Sequence, residues 1–275
     1  MRGDFHPPIE AVREVVARAL AEDVLPLGDL TASLVPVDAR ARAAFVAREA
    51  GVLAGRLCAV EALRQVDDSI EAEWLADDGD RIEGGAVIGR VDGPLRSLLT
   101  AERTALNLLC RLSGIATLTR RFVDAAAPAR IRDTRKTTPG LRALEKAAVR
   151  AGGGVNHRAN LSDGILVKDN HLGGIGIAAA VKRATELWPG RVVEVECDSV
   201  DQVREALEAG AGMVLLDNMT PAQVAECVAV VGGRLPVEVS GGVTLDNLAE
   251  YSTVDYIAVG ALTHSAPALD IGLDL

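Results

Sequence analysis

The sequence predicts an α/β protein in two parts, a small α+β domain followed by a closed or nearly closed β/α barrel. Three observations carry this. Residues 41–96 alternate short β-type runs with turn signals such as "DDGD", "EGG" and "DGP". From residue 130 onward, six short apolar runs alternate with helical segments, which implies parallel strands joined by right-handed crossovers. Each of those runs also ends in a polar residue or a glycine. Functional residue types therefore gather at one end, as they do at the mouth of a barrel.

Taken in order, the prolines of "PPIEAVREVVARALAED" and its apolar residues at 9, 12, 16 and 20 predict an amphipathic first helix. "AAFVARE", "GVLAG" and "AVIGRV" read as strands, with "VEALRQV" a helix between them. "LTAERTALNLLCRLSGIATLTRRFVDAA" reads as a long helical stretch, with a break expected near Ser113-Gly114. The boundary is placed there, giving one domain over 1–113 and the barrel over 114–275. In the barrel, "ARIRDT" leads into a helix over 139–151, "GILVKD" into 175–187, and "RVVEVE" into 200–209. "MVLLDN" leads into 221–231, "LPVEVS" into 245–251, and "DYIAVG" closes the series. Pro139 and Pro221 suit a first helical turn, each behind a threonine that can cap.

Composition narrows the classes. Hydrophobic residues make up 49% and charged residues 25%, as in an ordinary globular protein. The start of the chain has no apolar signal region, and no run is long enough to cross a bilayer, so a cytoplasmic protein is expected. Aromatics are only 3%, which leaves Ala, Val, Leu and Ile to build the core. A formal net charge of −10 argues against nucleic acid or an anionic membrane as the main partner. Cys58, Cys110, Cys197 and Cys227 form no CxxC pair and sit in apolar stretches, as buried reduced thiols would.

Charge is unevenly spread. Residues 130–171 hold nine Lys/Arg and four acids, a local balance of +5 inside an acidic chain. That suggests a focused anion site. Arg142, Lys146 and Arg150 stand at helical spacing, where a solvated helix face is the expected reading. Arg135, Arg158 and Lys168, with His157, are candidates for holding planar carboxylates, because arginine offers a rigid two-pronged fork. Internal salt bridges to Asp133, Asp163 and Asp169 are the alternative.

Strand ends supply the rest. Glu196 closes "VEVE" and Asp217 closes "VLLD". These carboxylates could hold Mg2+ mainly through water and substrate oxygens, or could pair with Lys168 or Arg135. Ser240-Gly241-Gly242 and Gly260-Ala261 follow the last two strands, where small residues let backbone N–H groups approach a phosphate. Tight turns alone would explain them too. His157 and His171 lie 14 residues apart without a zinc-binding pattern.

"RDTRKTTPGLRALEKAAVRAGGGVNHRANLSDGILVKDNH" resembles the quinolinate phosphoribosyltransferase family. So do "GDLT" at 28–31, "TAERTALNLLCRLSGIAT", "EVECDS", "LLDN", "EVSGGV" and "VGALTHSAPALDIGLDL". The resemblance implies an N-terminal α/β sandwich domain joined to an incomplete β/α (TIM-like) barrel. It implies conversion of quinolinate and phosphoribosyl pyrophosphate, with Mg2+, into nicotinate mononucleotide, pyrophosphate and CO2. By motif position Thr134, Arg135, His157, Arg158 and Lys168 would line the substrate pocket. Lys136, Lys168, Glu196 and Asp217 would be the catalytic set facing the sugar pyrophosphate and its metal. Ser240, Gly241, Gly242, Gly260 and Ala261 would hold the 5′-phosphate. Arg103 would enter a neighbouring subunit's pocket, which implies a homodimer with shared active sites and leaves open a hexamer.

Three other readings stand beside this one. A Schiff-base barrel lyase would use Lys168 as nucleophile. A relative on the same barrel could take a monocarboxylate, although the full Arg–Lys, His–Arg and Lys set favours a dicarboxylate. A non-catalytic binder of phosphorylated ligands would not need two carboxylates beside an anion site.

Overall fold

The computed structural model describes residues 5–275. Pro8, with φ near the helical value and no N–H of its own, precedes α1 (Ile9–Val24). Val12, Val15, Val16 and Leu20 form its buried stripe. There follow β1 (Arg40–Ala47), β2 (Gly51–Val52), α2 (Arg56–Val66), β3 (Glu71–Trp74), β4 (Arg81–Ile82), β5 (Val87–Pro94) and α3 (Leu95–Ala126). Then come β6 (Arg130–Arg132), α4 (Arg142–Ala151), β7 (Ile165–Val167), α5 (Asp169–Leu172) and α6 (Gly176–Leu187). The chain ends with β8 (Val193–Cys197), α7 (Val200–Glu208), β9 (Met213–Asp217), α8 (Pro221–Val231), β10 (Val237–Ser240), β11 (Tyr256–Ala258), α9 (Ala261–His264) and β12 (Ile271–Asp274).

The chain separates into two compact units. One comprises residues up to Arg120 with Lys136–Gly153 and Ala261–Leu275; the other comprises Arg121–Arg135 and Gly154–Gly260. The first contains an antiparallel sheet in the order β12-β1-β5-β3 and a two-stranded pair β2-β4. β1 alternates buried and less buried residues, so Ala43, Phe45 and Ala47 enter the core while the other face is more open. Phe45 stacks on Trp74 with ring centroids 5.1 Å apart, one of the few aromatic contacts available to so aromatic-poor a chain.

The second unit is built on a six-stranded, all-parallel sheet in the order β6-β11-β10-β9-β8-β7. That is chain order with the first strand carried round to lie beside the last, as barrel curvature requires. Among the described residues β6 and β7 are not paired; a single bridge, Arg132 to Val155, stands where another ladder would close the ring. The expected incomplete β/α barrel is what forms.

Several local expectations need correction. α3 runs unbroken for 32 residues through Ser113-Gly114. A Cβ on Gly114 would lie 1.9 Å from the carbonyl oxygen of Pro267, so this glycine marks a close approach and not a helix end. Ser113 Oγ, 3.0 Å from the Ala54 N–H and 3.1 Å from its carbonyl oxygen, likewise pairs with a neighbouring segment. Pro221 does open α8, where Thr220 accepts from the Gln223 N–H. Pro139 does not open α4, which starts at Arg142; Thr138 instead donates through its N–H and hydroxyl to Glu145. Nor is α4 a solvated charged face. Glu145 and Lys146 are buried, Arg150 donates to the carbonyls of Phe5 and His6, and Arg142 donates to Thr137 Oγ1. The helix expected over 245–251 is a short 3-10 turn, Leu248–Tyr251. The cysteines are free thiols, three buried and Cys110 half-buried. Burial pushes Cys58 and Cys197 up to about 12, far from a reactive thiolate. No helix among the described residues is long and apolar enough to cross a membrane.

Candidate active site

Parallel pairing brings the carboxyl ends of the strands to one rim, and strand periodicity decides which side chains share a face there. Ser240 pairs in register with Asp217 and Ala258, and Glu196 with Leu215. Lys168 immediately follows β7. Its ammonium is ion-paired with Glu196, the half-buried carboxylate at the end of β8. Asp217 is half-buried and accepts from Asn218 Nδ2 at 2.7 Å. Glu196 and Asp217 thus stand on adjacent strands as hard oxygen donors. They suit Mg2+ held mainly through water and ligand oxygens better than they suit a complete protein cage.

Arg158 is half-buried, and its Nη1 donates to the Gly164 carbonyl at 3.1 Å. Burial holds the guanidinium below its ordinary pKa, the nearby Arg135 cation lowers it further, and Glu194 and Glu196 act in the opposite sense. The nearby aspartates meet backbone and amide donors. Asp133, fully buried, accepts from the His157 N–H at 2.9 Å and from Asn156 Nδ2 at 2.5 Å. Asp163 accepts from the Ala159 N–H.

His157 faces inward. Its Nδ1 accepts from the Arg158 N–H at 2.7 Å, while Nε2 lies 3.0 Å from Glu194 and 3.5 Å from Glu238. Both ring nitrogens therefore meet protein atoms. Arg132 is ion-paired with Glu238, and its guanidinium lies 4.2 Å from the Tyr256 ring centroid. His157, Glu194 and Glu238 bring ligand-type atoms within 4.8 Å of one another. Arg132 already partners Glu238, so the group reads as a charge-compensated barrel interior and not a cation site. Sequence reasoning missed Arg132, Asp133, Asn156, Glu194 and Glu238 as parts of this layer. The signal was present: Glu194 stands two residues before Glu196, and Glu238 two before Ser240, so each shares a face with a rim residue.

The turn after β10 is shaped by glycine. Gly241 has φ of +92°, and a Cβ there would lie 2.1 Å from Asn218 Oδ1. Gly242 has φ of +64°, with open space where a side chain would stand. Asn247 braces the turn by donating to the Gly242 carbonyl and accepting from the Thr244 N–H. Thr134 and Arg135 follow β6 and are half-buried; Gly260 follows β11. Lys136, Ala261 and Arg103 belong to the other compact unit. There Lys136 is exposed, Ala261 begins α9, and Arg103 projects from α3 with 66% of its side chain exposed, 4.0 Å from Glu102.

Residues 29–113 match the N-terminal domain of quinolinate phosphoribosyl transferases, and residues 115–274 match the C-terminal domain. The chain belongs to the quinolinate phosphoribosyltransferase family. A nicotinate-nucleotide pyrophosphorylase [carboxylating] of Mycobacterium leprae is 45% identical, over 97% of this chain and 98% of that protein. A mitochondrial quinolinate phosphoribosyltransferase [decarboxylating] of Nicotiana glauca is 41% identical, over 98% of this chain and 83% of that one. The solved nicotinate-nucleotide pyrophosphorylase of Francisella tularensis superposes with a TM-score of 0.93 at 39% identity, covering 98% of this chain and 97% of that one.

Proposed function

We propose that this chain transfers the phosphoribosyl group of phosphoribosyl pyrophosphate to quinolinate and releases CO2, giving nicotinate mononucleotide and pyrophosphate. The observation that carries it is the rim of the barrel in a chain of this family. Arg135 and Arg158 are close enough to repel, beside a Lys168–Glu196 ion pair. Such a rim calls for a small polyanion. Arg135 and Arg158 hold the two carboxylates of quinolinate, with Thr134 and Lys168 beside them. His157 supports the same pocket from the barrel interior, its Nδ1 accepting from the Arg158 N–H. Ser240, Gly241, Gly242, Gly260 and Ala261 receive the 5′-phosphate, for which the open space at Gly242 leaves room.

The ring nitrogen of quinolinate attacks the anomeric carbon of the ribose while the bond to pyrophosphate breaks. The transition state resembles an oxocarbenium ion, so positioning and charge neutralisation dominate. Lys136 neutralises the departing pyrophosphate, and Glu196 and Asp217 face the positive sugar. Mg2+, when bound through Glu196 and Asp217, supplies further charge neutralisation at the pyrophosphate. Decarboxylation must follow transfer. A cationic pocket stabilises the carboxylate and opposes CO2 loss, whereas the positive ring nitrogen formed by transfer stabilises the carbanion left at the adjacent carbon when the C–CO2 bond breaks, and that carbon then takes a proton from water.

The domain boundary near residue 113 and a cytoplasmic location belong to the same reading. A second copy would complete each site through Arg103, which is exposed on α3. Leu25, Leu27, Leu30, Leu34 and Val37 are each more than 60% exposed within 13 residues, an apolar surface that suits a homodimer, alone or within a hexamer.

Substrate discrimination tests the proposal. Quinolinate with phosphoribosyl pyrophosphate and Mg2+ should yield nicotinate mononucleotide, nicotinate in its place should be a poor substrate, and EDTA should abolish turnover. Preference for nicotinate would overturn the dicarboxylate assignment, and full activity in metal-free EDTA would overturn the metal assignment.

A further inference from the structure

α4 carries a carboxylate that the reaction scheme does not use. Glu145 is fully buried, in a helix whose sequence reads as a charged surface. Its Oε1 accepts from the Thr138 hydroxyl at 2.8 Å and from Arg111 Nη2 at 2.9 Å, and its Oε2 accepts from the Thr138 N–H at 3.0 Å. Arg111, on α3, also donates to the carbonyls of Thr263 and Ala266, the latter at 2.9 Å. The Thr263 hydroxyl, itself fully buried, donates to the Lys136 carbonyl at 2.9 Å. Three distant segments are thereby tied together: α3, the 136–145 stretch, and α9 with the residues after it.

We infer that Arg111 and Glu145 are positioning residues for Lys136, acting through Thr138 and Thr263. The inference rests on the assignment of Lys136 to the pyrophosphate end of the reaction. A lysine side chain is long and unbranched, so where its ammonium can reach is set by where its backbone is held. The loop that carries it has its carbonyl fixed by Thr263 and its amide at Thr138 fixed by Glu145. Arg111 neutralises Glu145 and fixes the end of α9 at the same time. α9 begins at Ala261, so one buried ion pair sets the residue read as facing pyrophosphate against the segment read as following the 5′-phosphate turn. A displacement near 1 Å at a reacting group can cost about 100-fold in rate, which is why such a tie would be worth a buried charge pair.

The test is ligand binding by calorimetry, with Mg2+, on wild type, Glu145→Gln, Thr263→Val, Lys136→Ala, and the latter two combined. Thr263→Val is nearly isosteric and removes only the hydroxyl that holds the Lys136 carbonyl. It therefore answers the question even where Glu145→Gln, which leaves Arg111 without its carboxylate, fails to fold. Expected is a loss of roughly 10-fold in pyrophosphate affinity for Thr263→Val and Glu145→Gln, with quinolinate affinity unchanged within about twofold. In the Lys136→Ala background Thr263→Val should add less than about a twofold loss, since a residue acting through another has nothing left to act on. Equal weakening of both ligands, or additive losses in the double variant, would overturn the inference. Wild-type pyrophosphate affinity in Lys136→Ala alone would instead remove Lys136 from the leaving-group site, a separate failure.

Discussion

Arg158 is the residue on which recognition of the dicarboxylate turns. Arg158→Ala should lower kcat/KM for quinolinate about 30- to 5,000-fold, since truncating one member of a buried charge pair costs about 2–5 kcal/mol. Arg158→Lys should recover only part, because an ammonium cannot supply two parallel donors. Steady-state kinetics checks both, and wild-type turnover by the alanine variant would remove Arg158 from the pocket. Glu238 gives a prediction of another kind. Its carboxyl is pushed up to about 7, mostly by burial and then by Glu194, against the opposing pull of His157 and Arg132. The folded chain therefore keeps a proton there that the unfolded chain, with an ordinary value of 4.5, has released. Stability from this group should fall as pH rises from about 4.5 to about 7 and then level off. Melting curves should show wild type losing Tm relative to Glu238→Gln across that window; a pH-independent difference would contradict the assignment. The places of Lys168, Glu196, Asp217 and Ser240 at the strand ends were legible in the sequence because each ends an apolar run. The layer beneath was not read, because Glu194 and Glu238 sit inside strands, where a charged residue normally marks the solvent face. In a barrel both faces are enclosed, and the acid is tolerated because Arg132 and His157 meet it.

At the scale of elements, the longer helices were legible because their periodicity extends over enough residues, and the barrel strands because each apolar run ends in a polar residue or glycine and alternates with a helical segment. β3, β4, α5, α9 and β12 carry neither signal. β3 is an edge strand with exposed Glu71 and Glu73, and β12 gains its place by pairing with β1 from the far end of the chain. Gly114 shows how a local signal can mislead. Glycine in a helix suggests a break, but here only glycine leaves room for the Pro267 carbonyl. Gly114→Ala gains about 1 kcal/mol of helix propensity and loses roughly 1–3 kcal/mol or more to overpacking. A net fall in Tm of several degrees is expected, and a rise in Tm would mean that the close approach relaxes freely.

For the whole molecule, the proposal is that two copies share their sites. Arg103→Ala and Lys136→Ala should each be nearly inactive alone. In a heterodimer of the two, one pocket carries both lesions and the other carries neither. Random mixing makes half the dimers heterodimers, so refolding the variants together should restore about a quarter of wild-type activity. A mixture as inactive as its parents, with subunit exchange demonstrated, would place Arg103 in its own chain's chemistry. The account as a whole rests on one sequence of events: a cationic pocket holds quinolinate intact until ribosyl transfer makes its ring a pyridinium. The measurement that tests this most directly uses quinolinate labelled in the carboxyl group next to the ring nitrogen, with and without phosphoribosyl pyrophosphate. Labelled CO2 should appear in equal amount to nicotinate mononucleotide, and none should appear when phosphoribosyl pyrophosphate is withheld. CO2 released without the sugar donor, or a nucleotide that keeps the label, would contradict it.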